Sequence, residues 1–295
     1  MGKKRVLAGY GIDVDAVAGH INTTDGSRPN TSNVSRGSVF GARIGTKRLL
    51  DLFDKQNMKC SWYIPAHTIE TFPEDMAIIR DKGHEIGCHG YTHESPGELT
   101  TQQFRDVMEK SIQILTDFCG GKRPRGFTAP YWDPHPQQIS IMEELGLLYD
   151  HSFMHDDFHA YYAPKDGETH TTTDYSKDAS AWMKPSITEG PSDIVVIPGS
   201  WTFDDWPAFQ FEPSRPNAQG YVDPEVVEKT WRESFLYCYE HYDTFIFPMT
   251  IHPQVSGKAH IMRMHKRFIE FVNQFEGVEW CTFEYMAEEF RAGRI

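Results

Sequence analysis

Short apolar, β-prone runs alternate with segments of helical period along the chain, and this alternation constrains the fold more than any other feature. The runs are Arg5 to Tyr10, Cys60 to Ile64, Glu85 to Cys88, Gly126 to Ala129, Leu148 to Asp150, Asp193 to Ile197, Phe245 to Ile251 and Val278 to Thr282. Parallel strands need a crossover of a dozen or more residues between them, and the helical segments supply it. The pattern predicts an α/β fold, a distorted (β/α) barrel with seven or eight parallel strands. At 295 residues such a barrel is expected to form a single domain, residues 1–295.

The helical segments carry legible ends and faces. Thr100 with Gln103 predicts a capping box, and Phe104, Val107, Met108, Ile112, Leu115 and Phe118 recur at helical spacing until Gly120-Gly121. Asp223-Pro224 predicts a second start, with Asp as the cap and Pro at the first helical position. A third stripe runs through Ile261, His265, Phe268, Val272 and Phe275 and ends before Gly277. These stripes are assigned to a shell packed on the sheet. Two stretches, His20 to Gly41 and Phe153 to Ile187, are long and polar and fall on the strand-end side where barrels build their sites, so both are expected to be functional loops.

Charge narrows the partners. Lys and Arg number 29 against 42 Asp and Glu, and a net charge of -13 repels nucleic acid and anionic membrane surfaces. A neutral sugar or small amide feels little of that field. No run approaches the ~18 apolar residues of a membrane helix, and the stretch after Met1-Gly2-Lys3-Lys4-Arg5 turns polar too soon for a signal peptide. The five cysteines are odd in number and lack Cys-x-x-Cys spacing, which predicts reduced thiols and a cytoplasmic protein.

Chemistry concentrates in two places. In Gly11-Ile12-Asp13-Val14-Asp15 two carboxylates leave the first strand on one side, because side chains of an extended chain alternate. In His89-Gly90-Tyr91-Thr92-His93 two imidazoles four positions apart can converge on one cation if the chain curls through a helical turn. With 14 histidines in the chain such a pair also arises by chance. The carboxylate pair gives it weight, since crowded carboxylates are costly unless a positive charge sits between them.

Together these motifs resemble the polysaccharide deacetylase (NodB-homology) superfamily, from about Val6 to Phe283. Within it the chain is similar to a branch of peptidoglycan and chitin deacetylase-like proteins, cyclic imide hydrolases and allantoinases. The resemblance implies Asp13 as general base and Asp15, His89 and His93 as ligands of a divalent metal. Mixed N and O ligation makes zinc the first choice, with Co, Mn, Fe or Ni also compatible. By the same resemblance, the backbone N–H of Tyr131 is an oxyanion donor, with Trp132 beside it, and Asp150 contributes to the pocket and to the acid histidine's partner. His252, in an apolar strand leading into His-Pro, is assigned as general acid.

Thr128 stands where the family has an Arg that orients the catalytic aspartate, and Arg36 is the candidate to replace that charge. Thr202-Phe203-Asp204-Asp205 spells the family's first motif but follows the sixth run, so chain order keeps Asp13 and Asp15 in that role. Trp201, Asp204 and Trp206 are assigned to the pocket wall or rim. The implied activity is metal-dependent hydrolysis of non-peptide amide bonds, first N-deacetylation of N-acetylglucosamine units in chitin oligosaccharides or peptidoglycan-type glycans. Ring opening of a cyclic imide or allantoin-like amide is the alternative, and a catalytically silent metal-containing binding protein the non-enzyme one. The expected partner is a small molecule or oligosaccharide, and the branch implies a homo-oligomer.

Overall fold

The computed structural model describes residues 4–21, 38–165, 168–188, 190–211 and 220–295. Arg36 and most of the first expected loop lie outside the described residues.

Strand β1 (Arg5–Asp13) is buried at every position but Arg5. Its apolar run has no alternation because both of its faces are covered, as in a parallel sheet under helices. β10 (Thr244–Ile251) pairs with it from Arg5 to Ile12. The opposite edge is shared between β11 (Val278–Trp280) at the base and β2 (Ser61–Ile64) at the top. The sheet then continues through β3 (Glu85–Cys88), β4 (Gly126–Phe127), β5 (Tyr149–Asp150) and β9 (Pro191–Val196), all parallel, and ends at β6 (Tyr161–Pro164), which is antiparallel to β9.

Between β6 and β10 the curl is bridged by irregular chain. Ile246 N–H donates to the Phe158 carbonyl at 2.9 Å, and Asp205 N–H to the Thr250 carbonyl at 3.2 Å. The result is a half-barrel, a distorted α/β barrel of the expected kind. All eight expected runs became parallel strands. The stretch from Phe153 to Ile187 is more ordered than a loop: it holds β6 and a small hairpin of β7 (Glu168–Thr169) and β8 (Ile187–Thr188). β6 escapes a sequence reading because it is a short edge strand closed by Pro164, where a missing N–H is tolerated.

Helices form where their caps stand. Thr100 and Gln103 close a reciprocal capping box on the helix Thr101–Phe118. The Asp223 side chain accepts from Glu225 N–H at the start of the helix Pro224–His241. No helix among the described residues is long and apolar enough to cross a membrane.

Inside the curl an apolar cluster that includes Leu7, Leu148, Val195, Ile246, Phe283 and Met286 encloses a polar group. Glu85 accepts from Ser61, from the Tyr149 hydroxyl at 2.5 Å and from Glu284 N–H at 3.0 Å, and Tyr149 meets the Tyr63 hydroxyl at 2.8 Å. Burial pushes the Glu85 carboxyl up to about 7 despite these donors. Its folded value thus lies above the unfolded one, so its stabilising contribution is full below about pH 4.5 and is lost as pH rises to about 7. Glu85→Gln, which stays neutral, should remove a pH-dependent loss on the order of 3 kcal/mol. Thermal unfolding of both proteins from pH 4.5 to 7.5 checks this, and parallel curves would count against it.

Candidate active site

Beyond β1 the chain stays extended, with Val14 N–H bonded to the Tyr63 carbonyl at 2.9 Å. Asp13 and Asp15 therefore both enter the barrel mouth, 4 % and 3 % exposed. A turn follows at Ala16, whose φ is +48°.

The histidine segment does not form the expected helical turn. Gly90 takes a φ of +69°, where a side chain is strained, and His93 one of +59°. Glu94 ties the turn down, its carboxylate accepting from Tyr91 N–H at 2.8 Å and from Thr92 N–H at 2.6 Å. A looped turn with two left-handed residues thus brings the rings together, their centroids 4.9 Å apart.

The donor set suits a cation. His89 Nδ1–H donates to the Thr128 carbonyl at 2.7 Å, so Nε2 is the nitrogen turned to the site and the one free to bind a cation once it carries no proton. His89 Nε2 and Asp15 Oδ1 are both buried acceptors without a hydrogen-bond partner, and they face each other at 3.4 Å. Two acceptors in contact are unfavourable unless a proton or cation lies between them. Donors about 2.1 Å from one tetrahedral ion stand about 3.4 Å apart, and His93 Nε2 lies 3.6 Å from the same Asp15 oxygen. The three residues fit a divalent metal.

Thr128, in the place of the family's Arg, uses its carbonyl to hold His89. Among the described residues, the ion pairs of Asp13 are with imidazoles, His89 at 3.8 Å and His252 at 3.9 Å. Burial raises the Asp13 carboxyl to about 6, and these imidazoles restrain the rise. Burial also acts to raise Asp15, but His93, His89 and His252 outweigh it and hold it low. Burial lowers His93 to about 3, which leaves it neutral, as a ligand must be.

His252 closes β10 with one nitrogen anchored. Asp205 takes its Nδ1 at 2.7 Å and its backbone N–H at 2.9 Å, while Nε2 faces Asp13 and Asp15. Burial would lower this imidazole, yet Asp205, Asp204 and Asp15 prevail and raise it well above its usual value. Behind Asp205 the bonding continues through Ser256 to His265 Nε2 at 2.7 Å.

One assignment is corrected here. Asp150 does not meet His252: it accepts from Gln138 at 2.7 Å and from Ser152 N–H at 2.6 Å, and Ser152 in turn accepts from Ala129 N–H at 2.8 Å. Its effect is on the Ala129–Trp132 loop, and Asp205 is the histidine's carboxylate. Of the wall or rim expected for Asp204, its buried position fits the wall. Asp204 is 5 % exposed, accepts from Trp206 N–H at 2.9 Å and lies 3.6 Å from His252 Nδ1.

The aromatic residues line the entrance. Tyr131 and Trp132 both adopt left-handed backbone, φ +60° and +48°, a strain that side chains accept where a site requires it. The Tyr131 ring meets His93 edge-on at 4.5 Å, Trp132 meets Trp201 at 4.7 Å and Trp206 meets His252 at 5.0 Å. Trp201 is half exposed at the rim. Asp205, Glu94 and Gln254, which donates to Asp15, were missed from the sequence. A doubled Asp beside a buried strand end was the one signal available for the first.

The chain matches known proteins along its length. Residues 40–149 match the family model described as polysaccharide deacetylase. A peptidoglycan deacetylase of Helicobacter pylori (strain ATCC 700392 / 26695) is 41 % identical over 287 residues, 97 % of each chain. The peptidoglycan deacetylase-like protein FGM2 of Gibberella zeae is 37 % identical over 297 residues, 98 % of this chain and 87 % of that one. Among solved structures, one from Mycobacterium smegmatis with a provisional polysaccharide deacetylase name is 25 % identical, with a TM-score of 0.81 over 100 % of this chain and 93 % of that one. PuuE allantoinase shares the fold, with a TM-score of 0.77 at 22 % identity over 99 % and 92 % of the two chains. Identity of this extent over full-length relatives places the chain in the polysaccharide deacetylase (NodB-homology) family, hydrolases that act on amide C–N bonds.

Proposed function

We propose that residues 1–295 act as one catalytic domain that removes acetyl groups from N-acetylglucosamine units of a chitin- or peptidoglycan-type glycan. The observation that carries this reading is the meeting of Asp15, His89 and His93, with Asp13 3.8 Å from His89 and His252 3.9 Å from both aspartates. The identity with a protein named peptidoglycan deacetylase supports the substrate class.

Asp15, His89 and His93 would hold the ion, zinc by the hardness of their mixed donors. When bound, it supplies Lewis acidity to the amide carbonyl and to water. Asp13 takes the proton of the attacking water. The backbone N–H of Tyr131 donates to the oxygen on which negative charge develops. His252, kept protonated by Asp205, gives its proton to the departing nitrogen, the C–N bond breaks, and acetate and a free amine leave. Trp132, Trp201 and Trp206 offer flat apolar surface of the kind that sugar faces stack on.

Ring opening of a cyclic imide or allantoin-like amide is the second reading, supported by Thr128 and by the two imidazoles that face Asp13 among the described residues. Both chemistries break the same bond type. Unpaired thiols, four of the five buried, support a reducing compartment and hence the cytoplasm. Exposed Tyr175, Met183 and Ile187 between β6 and β9 support a homo-oligomer.

The test measures acetate release from N-acetylglucosamine oligomers against ring opening of succinimide, dihydrouracil and allantoin, with and without chelator. Chelator-sensitive acetate release is the expected result. Ring opening alone transfers the reading to the cyclic amides, and bound metal with neither activity means a silent protein.

A further inference from the structure

We infer that Gln254 is a positioning residue for the metal site, one that presents Asp15 to the ion through a single oxygen. This rests on the reading of Asp15, His89 and His93 as metal ligands.

Gln254 is 4 % exposed and sits in the short helix Pro253–Ser256 that follows β10. Its carboxamide Nε2–H donates to Asp15 Oδ2 at 3.0 Å. That bond commits Oδ2 and leaves Oδ1 as the oxygen turned to His89 at 3.4 Å and His93 at 3.6 Å. A carboxylate without such a donor is free to rotate and to bind through both oxygens. The second oxygen would then fill a coordination position that a catalytic site keeps open.

Packing holds the carboxamide in place. The helical turn Gly41–Gly45 lies against Pro253–Ser256, and a Cβ on Gly41 would come within 3.0 Å of Gln254 Cβ and 3.1 Å of its Oε1. A Cβ on Gly45 would stand 2.0 Å from the Pro253 carbonyl oxygen. Gly45 permits the close approach of the two turns, and at Gly41 a side chain would press the Gln254 side chain by a few tenths of an ångström, so the rotamer that reaches Asp15 is packed from behind. The same short helix also sends Ser256 to Asp205, on the His252 side. One turn therefore supports both halves of the site through different side chains.

The test uses chelator-stripped full-length protein titrated with zinc and with cobalt. Gln254→Met keeps the length and loses the donor, and Gln254→Ala loses both. Each should weaken metal affinity about 10- to 100-fold, the usual cost of removing a group that orients a ligand. Cobalt-loaded Gln254→Met should also absorb more weakly in the visible, as higher coordination number does, whereas a loosened fold alone would leave that signature unchanged. Ser256→Ala, in the same turn but acting on Asp205, should hold metal within about twofold of wild type. Wild-type affinity and spectrum in both Gln254 variants, with binding lost in Asp15→Ala, would overturn the role of Gln254 and leave the metal site standing. Unchanged binding in Asp15→Ala would overturn the site reading, and this role with it.

Discussion

Asp13→Asn is expected to keep its metal and to lose turnover by a factor of about 10² to 10⁴, the usual contribution of a positioned general base. Asn has the shape of Asp and cannot take up the proton. The three candidate ligands are untouched, so bound metal per chain should stay at the wild-type value. A second consequence concerns stability. Burial raises the Asp13 carboxyl to about 6, so the group's stabilising contribution is full below its unfolded value of 3.8 and is lost as pH rises to about 6. Metal-free wild type at pH 7 therefore carries a buried charge at a cost on the order of 3 kcal/mol. The metal-free Asn variant should melt higher at pH 7 and show less of this dependence. A variant less active and more stable is the mark of a charge kept for chemistry. Full turnover in a metal-loaded Asp13→Asn protein would remove Asp13 from the reaction.

Asp205→Asn should lower kcat/KM by about 10² to 10⁴, as loss of a carboxylate behind a catalytic imidazole does elsewhere. The substitution also moves the pH profile. With Asp205 ionised, His252 titrates well above its usual value and remains an acid at neutral pH. Without that charge burial acts with less opposition, the imidazole loses its proton earlier, and the alkaline limb of kcat/KM should shift toward neutral pH. With Asp13 as the proposed base, the acid limb should stay at or below about pH 6, because a cation nearby can only lower that carboxyl. The variant also loses a charged acceptor for Ser256 and for His252 N–H, so a stability loss of about 2 kcal/mol should accompany it. Measuring kcat/KM from pH 5 to 9 separates the two effects: an unmoved alkaline limb would show that Asp205 only holds the fold.

Much of the site was legible because it lies where local rules end. Asp13 and Asp15 stand at the end of a strand whose period of two puts them on one side, and His89 and His93 stand just past another strand end. The direction in which each segment leaves its strand is a local property. How the histidines converge was not local. A looped turn tied by Glu94 does the work expected of a helical turn, and its left-handed residues have no periodic signature.

The partner of His252 shows the other side. Asp204 and Asp205 are neighbours in an irregular segment, and nothing in their order says which faces the histidine. The bridge of that segment to Thr250 sets its position along β10 and so decides which carboxylate meets the imidazole. Asp150, by contrast, sits on a strand as expected, but its oxygens are taken by Gln138 and Ser152 before they could reach His252.

Residue order alone is enough for the alternation of strands and helices, the caps, the strand-end carboxylates and the histidine pair, since each depends on periodicity or on contacts a few residues apart. Tertiary structure selects Asp205 over Asp150, buries Asp204, orders β6 and brings Gln254 to Asp15 from 239 positions away. Those outcomes depend on where separate strand ends meet around a curled sheet, and the closure of that curl is a property of the assembled chain.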